Sequence, residues 1–304
     1  ERGAGGGKTV VAVGLDAKPM SGKAPNNITV IRPLRDGVIA DFHVTEKMLQ
    51  HFIHKVHKNK FLRPSPRVLV CVPCGSTQVE RRAIRESALG AGAREVYLIE
   101  EPMAAAIGAG MPVDQATGSM VVDIGGGTTE IAVISLGGLV TNKSIRIAGD
   151  DLTADIMEYM RHQHNIKIGE RTAEEIKINV GSALSQLEDP PADYLIQGPN
   201  QMTALPIEVP VSYQEISHCL EKSISKIETA ILSALEQTPP ELYSDIVTRG
   251  IWLAGGGALL RGLAKRFTEK INIQFHVAED PLRAVARGTG IALKNVNKFS
   301  FLIR

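Results

Sequence analysis

The sequence predicts an α/β protein whose sheet is partly parallel. Strand-like and helix-like segments alternate between residues 67 and 110, an order typical of α/β layers. Two apolar, β-branched runs flank a glycine-rich centre at residues 120–134 (MVVDIGGGTTEIAVI), which indicates a β-hairpin whose turn lies beside a ligand. A strand followed by a glycine loop recurs at residues 251–257 (IWLAGGG). We therefore expect two structurally similar halves, although the chain contains no tandem repeat.

Composition restricts the class of protein without identifying it. The 304 residues suffice for two or more domains, and hydrophobic and charged fractions of 43% and 22% are those of a soluble globular protein. A net charge of +1 gives no broad basic field, so we expect no nucleic-acid partner. Three cysteines are too few for a disulfide framework and favour a reducing compartment. No run of 18 apolar residues predicts a membrane-spanning helix.

The first elements are predicted to be two short strands and a helix. Residues 9–13 and 27–33 are rich in apolar and β-branched residues, and Pro33 would end the second strand. Thr45 is predicted to cap a helix with one apolar stripe, made by Val44, Met48, Leu49, Phe52, Ile53 and Val56.

The remaining elements follow from periodicity and glycine positions. The predicted strands are residues 67–72 and 95–99, and the predicted helices are 77–89, closed by Gly90, and 102–109. Residues 150–183 are predicted to be mainly helical, residues 184–215 irregular with short strands at most, and residues 213–235 helical again.

The hairpin at residues 120–134 carries groups suited to a nucleotide. Its three glycines, Gly125, Gly126 and Gly127, let several backbone N–H groups point at one phosphate. Asp123 would hold a magnesium ion through water, and Thr128 or Thr129 would bond a terminal phosphate. An ordinary tight turn is the alternative, but the flanking aspartate and threonines favour a nucleotide site.

Two further segments admit a functional and a structural interpretation. Residues 255–262 follow a strand and open a helix, so their amides would meet a phosphate or adenosine group, although many strand–helix turns need glycine. Glu100 and Glu101 precede Pro102 at a helix start. One of these carboxylates would orient a water against a γ-phosphate, or would simply favour the helix dipole.

Three patterns imitate functional sites. Residues 3–9 lack the first glycine of a phosphate-binding Walker loop, whose place Arg2 occupies. His51, His54 and His57 are three residues apart, so their side chains point in different directions around the helix. This spacing favours a solvated face over a metal site. Cys71 and Cys74 form a single C-x-x-C, which makes a redox or zinc role improbable without a second pair.

Small residues dominate two helical segments. Residues 102–110 and 283–292 are rich in alanine and glycine, which lets helices cross at close range. Two such helices beside domain boundaries would make a hinge under a nucleotide cleft, and ordinary close packing is the alternative.

The order of these motifs resembles the actin and heat-shock-chaperone ATPase superfamily. The segments EEPMAAAIGAG, VVDIGGGTTE, LAGGGALLRGL and RAVARGTGIAL are similar to its connect, phosphate, adenosine and second connect motifs. The likeness is greater to the MreB family of bacterial actins, and it includes IRPLRDGVIADF, RPSPRVLVCVP and VAEDPLRAVARGTG. The resemblance implies an α/β, actin-like ATPase fold with two lobes, each a mixed β-sheet flanked by helices.

The resemblance also implies roles for individual residues. Asp123 would lie near Mg²⁺, Glu101 would position the hydrolytic water, and Thr129 would assist it. The nucleotide would be bound by Asp123, Gly125, Gly126, Gly127, Thr128, Thr129, Glu174, Lys177, Gly255, Gly256, Gly257 and Ala258, with Glu174 and Lys177 near the ribose. Phe61 and Leu62 would match a hydrophobic loop that touches the inner membrane; alone, two apolar residues in a basic loop are weak support.

The chain departs from the family pattern at its start. The superfamily begins with an Asp-x-Gly-Thr hairpin that clamps the phosphates, and this sequence contains one such hairpin, at Asp123. The first strands of lobe I would be missing with it, so we interpret the chain as a fragment of a longer protein; a degraded copy is the alternative. By resemblance, lobe I would comprise residues 1–40 as its small subdomain and 41–117 with 285–304 as its core. Lobe II would comprise residues 118–157 with 232–284 as its core and 158–231 as its small subdomain.

The resemblance implies an ATP-binding protein that forms membrane-associated filaments, sets rod cell shape and organises cell-wall synthesis. The intact protein would be a slow ATPase in the cytoplasm, at the inner face of the membrane. Its cofactors would be ATP and Mg²⁺, and its partners other copies of itself, the membrane, and cell-wall elongation and membrane-anchoring proteins. A superfamily chaperone or small-molecule kinase, or a remnant unable to bind ATP, is the alternative.

Overall fold

The computed structural model describes residues 9–35, 37–57 and 65–296, in which helices and strands alternate. The strands are β1 (Leu34–Arg35), β2 (Val38–Ile39), β3 (Arg67–Val72), β4 (Glu95–Glu100), β5 (Ser119–Ile124), β6 (Thr129–Ser135), β7 (Gly138–Ile145), β8 (Tyr194–Pro199), β9 (Pro206–Val211), β10 (Ile251–Ala254) and β11 (Phe275–Val277). The helices are α1 (Phe42–Val56), α2 (Gln78–Gly90), α3 (Glu101–Gly108), α4 (Gly149–Gln163), α5 (Glu170–Val180), α6 (Tyr213–Glu236), α7 (Pro240–Arg249), α8 (Leu263–Ile271) and α9 (Ala284–Lys294).

The described residues fall into two compact units. One holds those of Glu1–Val70 and Ser76–Leu98, and the other those of Cys71–Gly75 and Ile99–Leu302. In the first unit α1 packs against α2, which begins with a capping box between Thr77 and Glu80. The four-subdomain division implied by the resemblance stays a prediction.

A mixed five-stranded sheet forms the centre of the second unit. Its strand order is β11-β10-β5-β6-β7; β11, β10 and β5 run parallel, whereas β5, β6 and β7 are antiparallel. The predicted hairpin is confirmed, because Ile124 pairs with Thr129 across the glycine turn. The predicted partly parallel sheet is confirmed as well.

Both faces of β5 and β6 are covered. Every residue of these two strands is buried, as in sheets with helices on both sides. Met120, Val122 and Ile124 belong to a large apolar core with residues of α4, α5 and α6. Alternation puts Val121 and Asp123 on the opposite face, and α3 packs against β5 and β6. Asp123 is therefore the charged residue that β5 contributes to its second buried face.

The two small-residue helices pack against each other. A methyl group added at Gly108 of α3 would lie 1.8 Å from the carbonyl oxygen of Ala284, and one added at Gly288 of α9 would lie 1.8 Å from that of Ala104. Both clashes are with backbone atoms, so neither neighbour can yield by changing its rotamer. Only glycine at these two positions permits this crossing.

A buried ion cluster fixes α8 to α6. The Arg266 side chain donates to Glu228 at 2.5 Å and to both oxygens of Glu221 at 2.5 and 2.8 Å. Arg266 is 5% exposed and Glu228 8% exposed, so this pair lies in the interior, whereas the Glu221 side chain is exposed. The cluster positions the helix that follows the second glycine loop.

Several local predictions were wrong. Within the described residues, 9–13 and 27–33 belong to no sheet, because a strand needs a pairing partner as well as β-branched residues. Asp41 caps α1 by accepting from the Val44 N–H at 2.9 Å. The Thr45 hydroxyl donates instead to the Asp41 carbonyl, one turn inside the helix. The helices and strands predicted between residues 67 and 109 are confirmed.

The region between residues 184 and 215 contains one hairpin, formed by β8 and β9. A capping box between Ser212 and Glu215 then starts the single 24-residue helix α6. Among the described helices, none has the length and apolar character needed to cross a membrane.

Candidate functional site

A row of residues crosses the five-stranded sheet at one register. Ala254 of β10 pairs with Asp123 of β5, Asp123 with Glu130 of β6, and Glu130 with Ser144 of β7. Directly paired residues project from the same face of a sheet. The carboxyl groups of Asp123 and Glu130 therefore stand side by side, at 5% and 1% exposure.

Asp123 has an unsatisfied carboxylate oxygen. Its Oδ1 atom is buried and has no hydrogen-bond partner among the described residues. Burial, and then the charge of Glu130, raise the pKa of Asp123 to about 7. A cation bound to this oxygen would supply the missing partner and the missing opposite charge. The residues present thus fit a divalent cation, with the remaining ligands coming from phosphate and water.

The glycine turn is tied to the start of α4. The Gly125 carbonyl accepts from the Gly149 N–H at 3.0 Å, and the Gly126 carbonyl accepts from the Asp150 N–H at 2.7 Å. The turn closes on itself through the Gly125 N–H and the Thr128 carbonyl at 3.0 Å. These bonds hold the turn against a helix N-terminus, whose dipole favours anions.

The second glycine loop lies against the end of β5. Gly255 has a φ of +79°, and a Cβ atom there would lie 2.3 Å from the Ile124 carbonyl oxygen and 2.5 Å from Asp123 Oδ1. A Cβ atom on Gly257 would meet Ile124 Cγ2 at 2.3 Å. The loop continues through Gly256 and Ala258 in a short 3-10 helix. Because β5 and β10 are parallel neighbours, their carboxyl ends bring both glycine segments to one edge of the sheet.

Glu101 lies near the two sheet carboxylates. It is the first residue of α3, and burial, followed by the charges of Asp123 and Glu130, raises the pKa of Glu101 to about 8. A carboxyl group with a pKa near neutral is suited to general acid–base chemistry.

The two threonines of the turn have different surroundings. The Thr129 side chain is fully buried, and its hydroxyl donates to the Ile147 carbonyl at 2.7 Å. The Thr129 proton is used inside the sheet, so only the oxygen of this hydroxyl is left, as an acceptor; the Thr128 side chain is 8% exposed.

The pair Glu174 and Lys177 lies beside the same helix start. Lys177 Nζ donates to the Gly149 carbonyl at 2.8 Å and to Thr153 Oγ1 at 3.0 Å, and it forms a 2.7 Å ion pair with Glu174. Glu174 also accepts from the Thr153 hydroxyl at 2.8 Å. Thr153, which we did not single out from the sequence, connects this pair to α4.

The sequence interpretation also omitted Glu130. The available signal was a charged residue in an otherwise apolar strand, at the position that the hairpin register pairs with Asp123. Phe61 and Leu62 lie outside the described residues, so the membrane contact stays a prediction.

Among the described residues, no group of three or more His, Cys, Asp or Glu side chains is arranged to hold a metal ion. Burial raises the pKa of the Cys71 thiol to about 11 and also raises that of Cys74.

Comparison with known proteins identifies the family. The model of the MreB/Mbl protein family matches residues 4–301. The chain is 58% identical to the cell shape-determining protein MreB of Escherichia coli K12 over 97% of its own length and 84% of that protein. The chain belongs to the MreB/Mbl family. Another MreB/Mbl relative, the cell shape-determining protein Mbl of Bacillus subtilis 168, is 48% identical over 95% of this chain and 86% of its own.

Solved structures agree with this membership. MreB5 of Spiroplasma citri bound to ADP superposes with a TM-score of 0.89 at 38% identity, covering 95% of this chain and 86% of that one. The fold is therefore α/β and actin-like, as the sequence predicted. MreB5 has also been solved with AMPPNP, and that structure likewise superposes with a TM-score of 0.89, at 36% identity.

Proposed function

We propose that this MreB/Mbl protein binds ATP with Mg²⁺, assembles into filaments and takes part in determining cell shape. The observation that carries the proposal is the meeting of two glycine segments over the unsatisfied Asp123 carboxylate. Family membership supports the cell-shape function, because the curated relatives are named cell shape-determining proteins. Nucleotide binding is supported by the ADP and AMPPNP complexes of MreB5.

The proposed site assigns a task to each group of residues. Asp123 holds the magnesium ion, which neutralises phosphate charge when it is bound. The N–H groups of Gly126 and Gly127, and those of Gly256 and Gly257 in the second loop, bind phosphate and adenosine oxygens and nitrogens. Lys177 and Glu174, held by Thr153, face the ribose. Glu101 accepts a proton from the hydrolytic water, which Thr129 or Thr128 orients.

The wider proposal links this site to assembly. ATP binding favours the polymerising form and slow hydrolysis weakens it, since a ligand stabilises the state that it prefers. Filaments contact the inner face of the cytoplasmic membrane through Phe61 and Leu62. There they organise cell-wall elongation and membrane-anchoring proteins. These contacts follow from the resemblance alone.

Sedimentation of the full-length protein tests the proposal. With ATP and magnesium the wild type should pellet, and Asp123→Asn should stay in the supernatant because the cation has lost its carboxylate. Glu101→Gln should pellet with ATP but release phosphate roughly 100-fold more slowly, since a positioned base contributes about that factor. Asp114→Asn, which changes an exposed turn residue, is the control and should behave as wild type.

Two results would contradict the proposal. Wild-type protein that remains monomeric at high concentration with ATP would remove the filament function. Unchanged magnesium-dependent ATP affinity in Asp123→Asn would mean that the hairpin is structural.

A further inference from the structure

Lys177 spends its hydrogen-bond donors inside the protein. An ammonium group has three N–H donors and no acceptor. Lys177 Nζ donates to the Gly149 carbonyl at 2.8 Å and to Thr153 Oγ1 at 3.0 Å, and it pairs with Glu174 Oε2 at 2.7 Å. These three partners account for all three N–H groups. The Lys177 side chain is 15% exposed and that of Glu174 is 37% exposed, so Glu174 is the more accessible member of the pair.

The Gly149 carbonyl belongs to a peptide group that also holds the glycine turn. A peptide group is a rigid plane that joins the carbonyl of one residue to the N–H of the next. The plane that begins with the Gly149 carbonyl therefore ends with the Asp150 N–H, which donates to the Gly126 carbonyl at 2.7 Å. Lys177 and the glycine turn thus bond opposite ends of one peptide group at the start of α4.

A second peptide group extends this chain of hydrogen bonds into the turn. The Gly126 carbonyl shares its plane with the Gly127 N–H. Among the described residues, that N–H donates to no backbone carbonyl. The chain therefore runs from Lys177 Nζ through two successive peptide groups and ends at a donor that the proposed site directs at phosphate.

A cation at one end of such a chain acts on the donor at the other end. Hydrogen bonds in series polarise one another, and each is strengthened by about 10–30%. A positive charge at the carbonyl of a peptide group makes the N–H of the same group a better donor. The bond to Lys177 also fixes the direction of the first plane, and the Asp150 N–H then fixes that of the second. Both effects make the Gly127 N–H a stronger and better-aimed donor to an anion.

We propose that Lys177 is a positioning residue for phosphate binding, which fixes and polarises the Gly127 N–H through the two hydrogen-bonded peptide groups. The inference rests on the nucleotide site proposed above and gives Lys177 a task at the phosphates. Glu174 is the member of the pair that bonds the ribose. Lys177 itself touches neither the phosphates nor the ribose hydroxyls, because its donors are occupied.

Affinities for ATP and for adenosine test the proposal, because adenosine lacks the phosphates. Lys177→Met keeps a long side chain and removes the ammonium. With magnesium, we expect this variant of the full-length protein to bind ATP roughly 10-fold more weakly, with an adenosine affinity within about threefold of wild type. Isothermal titration calorimetry measures both affinities. Equal losses for the two ligands would overturn the proposal, since a direct bond to the ribose would affect both alike.

A charge-balanced variant separates this positioning from long-range attraction. Lys177→Met alone also removes a positive charge that attracts the triphosphate from a distance. In Glu174→Gln/Lys177→Met the pair is neutral, as it is in the wild type, but the Gly149 carbonyl has still lost its donor. We expect the ratio of ATP affinity to adenosine affinity to stay roughly 10-fold below that of wild type. A wild-type ratio would mean that charge alone acts, and would overturn the proposal. If Lys177→Met is too unstable to assay, because Glu174 is left unpaired, the double variant carries the test.

Amide exchange in the nucleotide-free protein tests the chain of hydrogen bonds directly. Lys177→Met should raise the exchange rate of the Asp150 N–H by roughly fivefold or more, because its bond to the Gly126 carbonyl is weakened. The Gly125 N–H, which donates to the Thr128 carbonyl outside the chain, is the internal control and should exchange within about twofold of its wild-type rate. NMR spectroscopy measures both rates.

The outcomes are distinguishable. An unchanged exchange rate of the Asp150 N–H would overturn the positioning role of Lys177 while ATP binding by the wild type stands. A wild-type protein that binds no ATP would overturn the proposed function, and the role of Lys177 at the phosphates with it.

Discussion

At the scale of single residues, the site brings together the carboxyl groups of Asp123, Glu130 and Glu101. Asp123 and Glu130 are cross-strand neighbours, and the charges of both act on Glu101. Burial, and then the neighbouring negative charges, disfavour ionisation, which raises the pKa of Asp123 to about 7 and that of Glu101 to about 8. The site has a deficit of positive charge that a bound cation would remove.

The raised pKa values predict a pH-dependent stability in the absence of nucleotide and magnesium. In the unfolded chain the carboxyl pKa values are about 3.9 for Asp and 4.3 for Glu, so the folded protein holds these two protons more tightly. Their contribution to stability is complete below about pH 4 and is lost as the pH rises through about 7 for Asp123 and about 8 for Glu101. We expect Asp123→Asn to gain stability relative to wild type, on the order of 1–4 kcal/mol, between pH 4 and pH 8.

Urea denaturation in EDTA at several pH values measures this difference. Glu241→Gln, which alters an exposed residue at the start of α7, is the matched control and should parallel the wild type. If the difference in unfolding free energy between wild type and Asp123→Asn is the same at every pH, Asp123 has the same pKa in the folded and unfolded states.

At the level of elements, the crossing of α3 and α9 determines where Glu101 lies. Glu101 begins α3, whose Ala104 and Gly108 contact α9 through backbone atoms. The close approach requires small residues, and a rigid crossing holds the first turn of α3 beside the sheet. The hinge suggested by the sequence stays a prediction, whereas the close packing of these two helices is observed.

Two glycines of α9 provide a matched test of this crossing. Gly288→Ala would place a methyl group 1.8 Å from the Ala104 carbonyl oxygen, so we expect a loss of about 3 kcal/mol or more. Gly290 has nothing within 4 Å of its added methyl group, so Gly290→Ala should be neutral or stabilise the protein by up to about 1 kcal/mol. Thermal unfolding, monitored by circular dichroism, measures the stability of both variants. Equal effects of the two substitutions would mean that α3 and α9 do not cross this closely.

On the scale of the whole molecule, one compact unit carries all the described site residues. Residues 71–75 and those from 99 onward supply both glycine segments, the three carboxyl groups and the pair on α5. The five-stranded sheet and the helices α3, α4, α5 and α9 are therefore sufficient to assemble the described part of the site. Membership of the MreB/Mbl family extends over nearly the whole chain, including the other unit.

Nucleotide binding should stabilise the whole molecule. Ligand at about 100 times its dissociation constant adds about 2.7 kcal/mol to the unfolding free energy. For a protein of this size we expect a melting temperature roughly 5–10 °C higher with ATP and magnesium. Differential scanning fluorimetry measures the shift, which EDTA and Asp123→Asn should both reduce. Equal melting temperatures with and without saturating ATP and magnesium would contradict nucleotide binding.

Local sequence predicted much of the fold and part of the candidate site. Short windows of sequence were enough to recognise the hairpin, the strand followed by a glycine loop at Gly255, and the helix that begins at Glu101. The wrong predictions were strands at residues 9–13 and 27–33, which have the composition of strands without a paired neighbour, and the cap at Thr45. In these cases the local preference did not decide the structure, because strand pairing and helix capping depend on which partners are present.

The sequence by itself determined the alternation of elements and the glycine turns, because periodicity and turn chemistry act over a few neighbouring residues. Only the tertiary structure decided that Ala254, Asp123, Glu130 and Ser144 stand in one row, and that the Thr129 hydroxyl bonds the Ile147 carbonyl. Those relationships depend on strand register and packing between segments far apart in the chain. No short stretch of residues contains them.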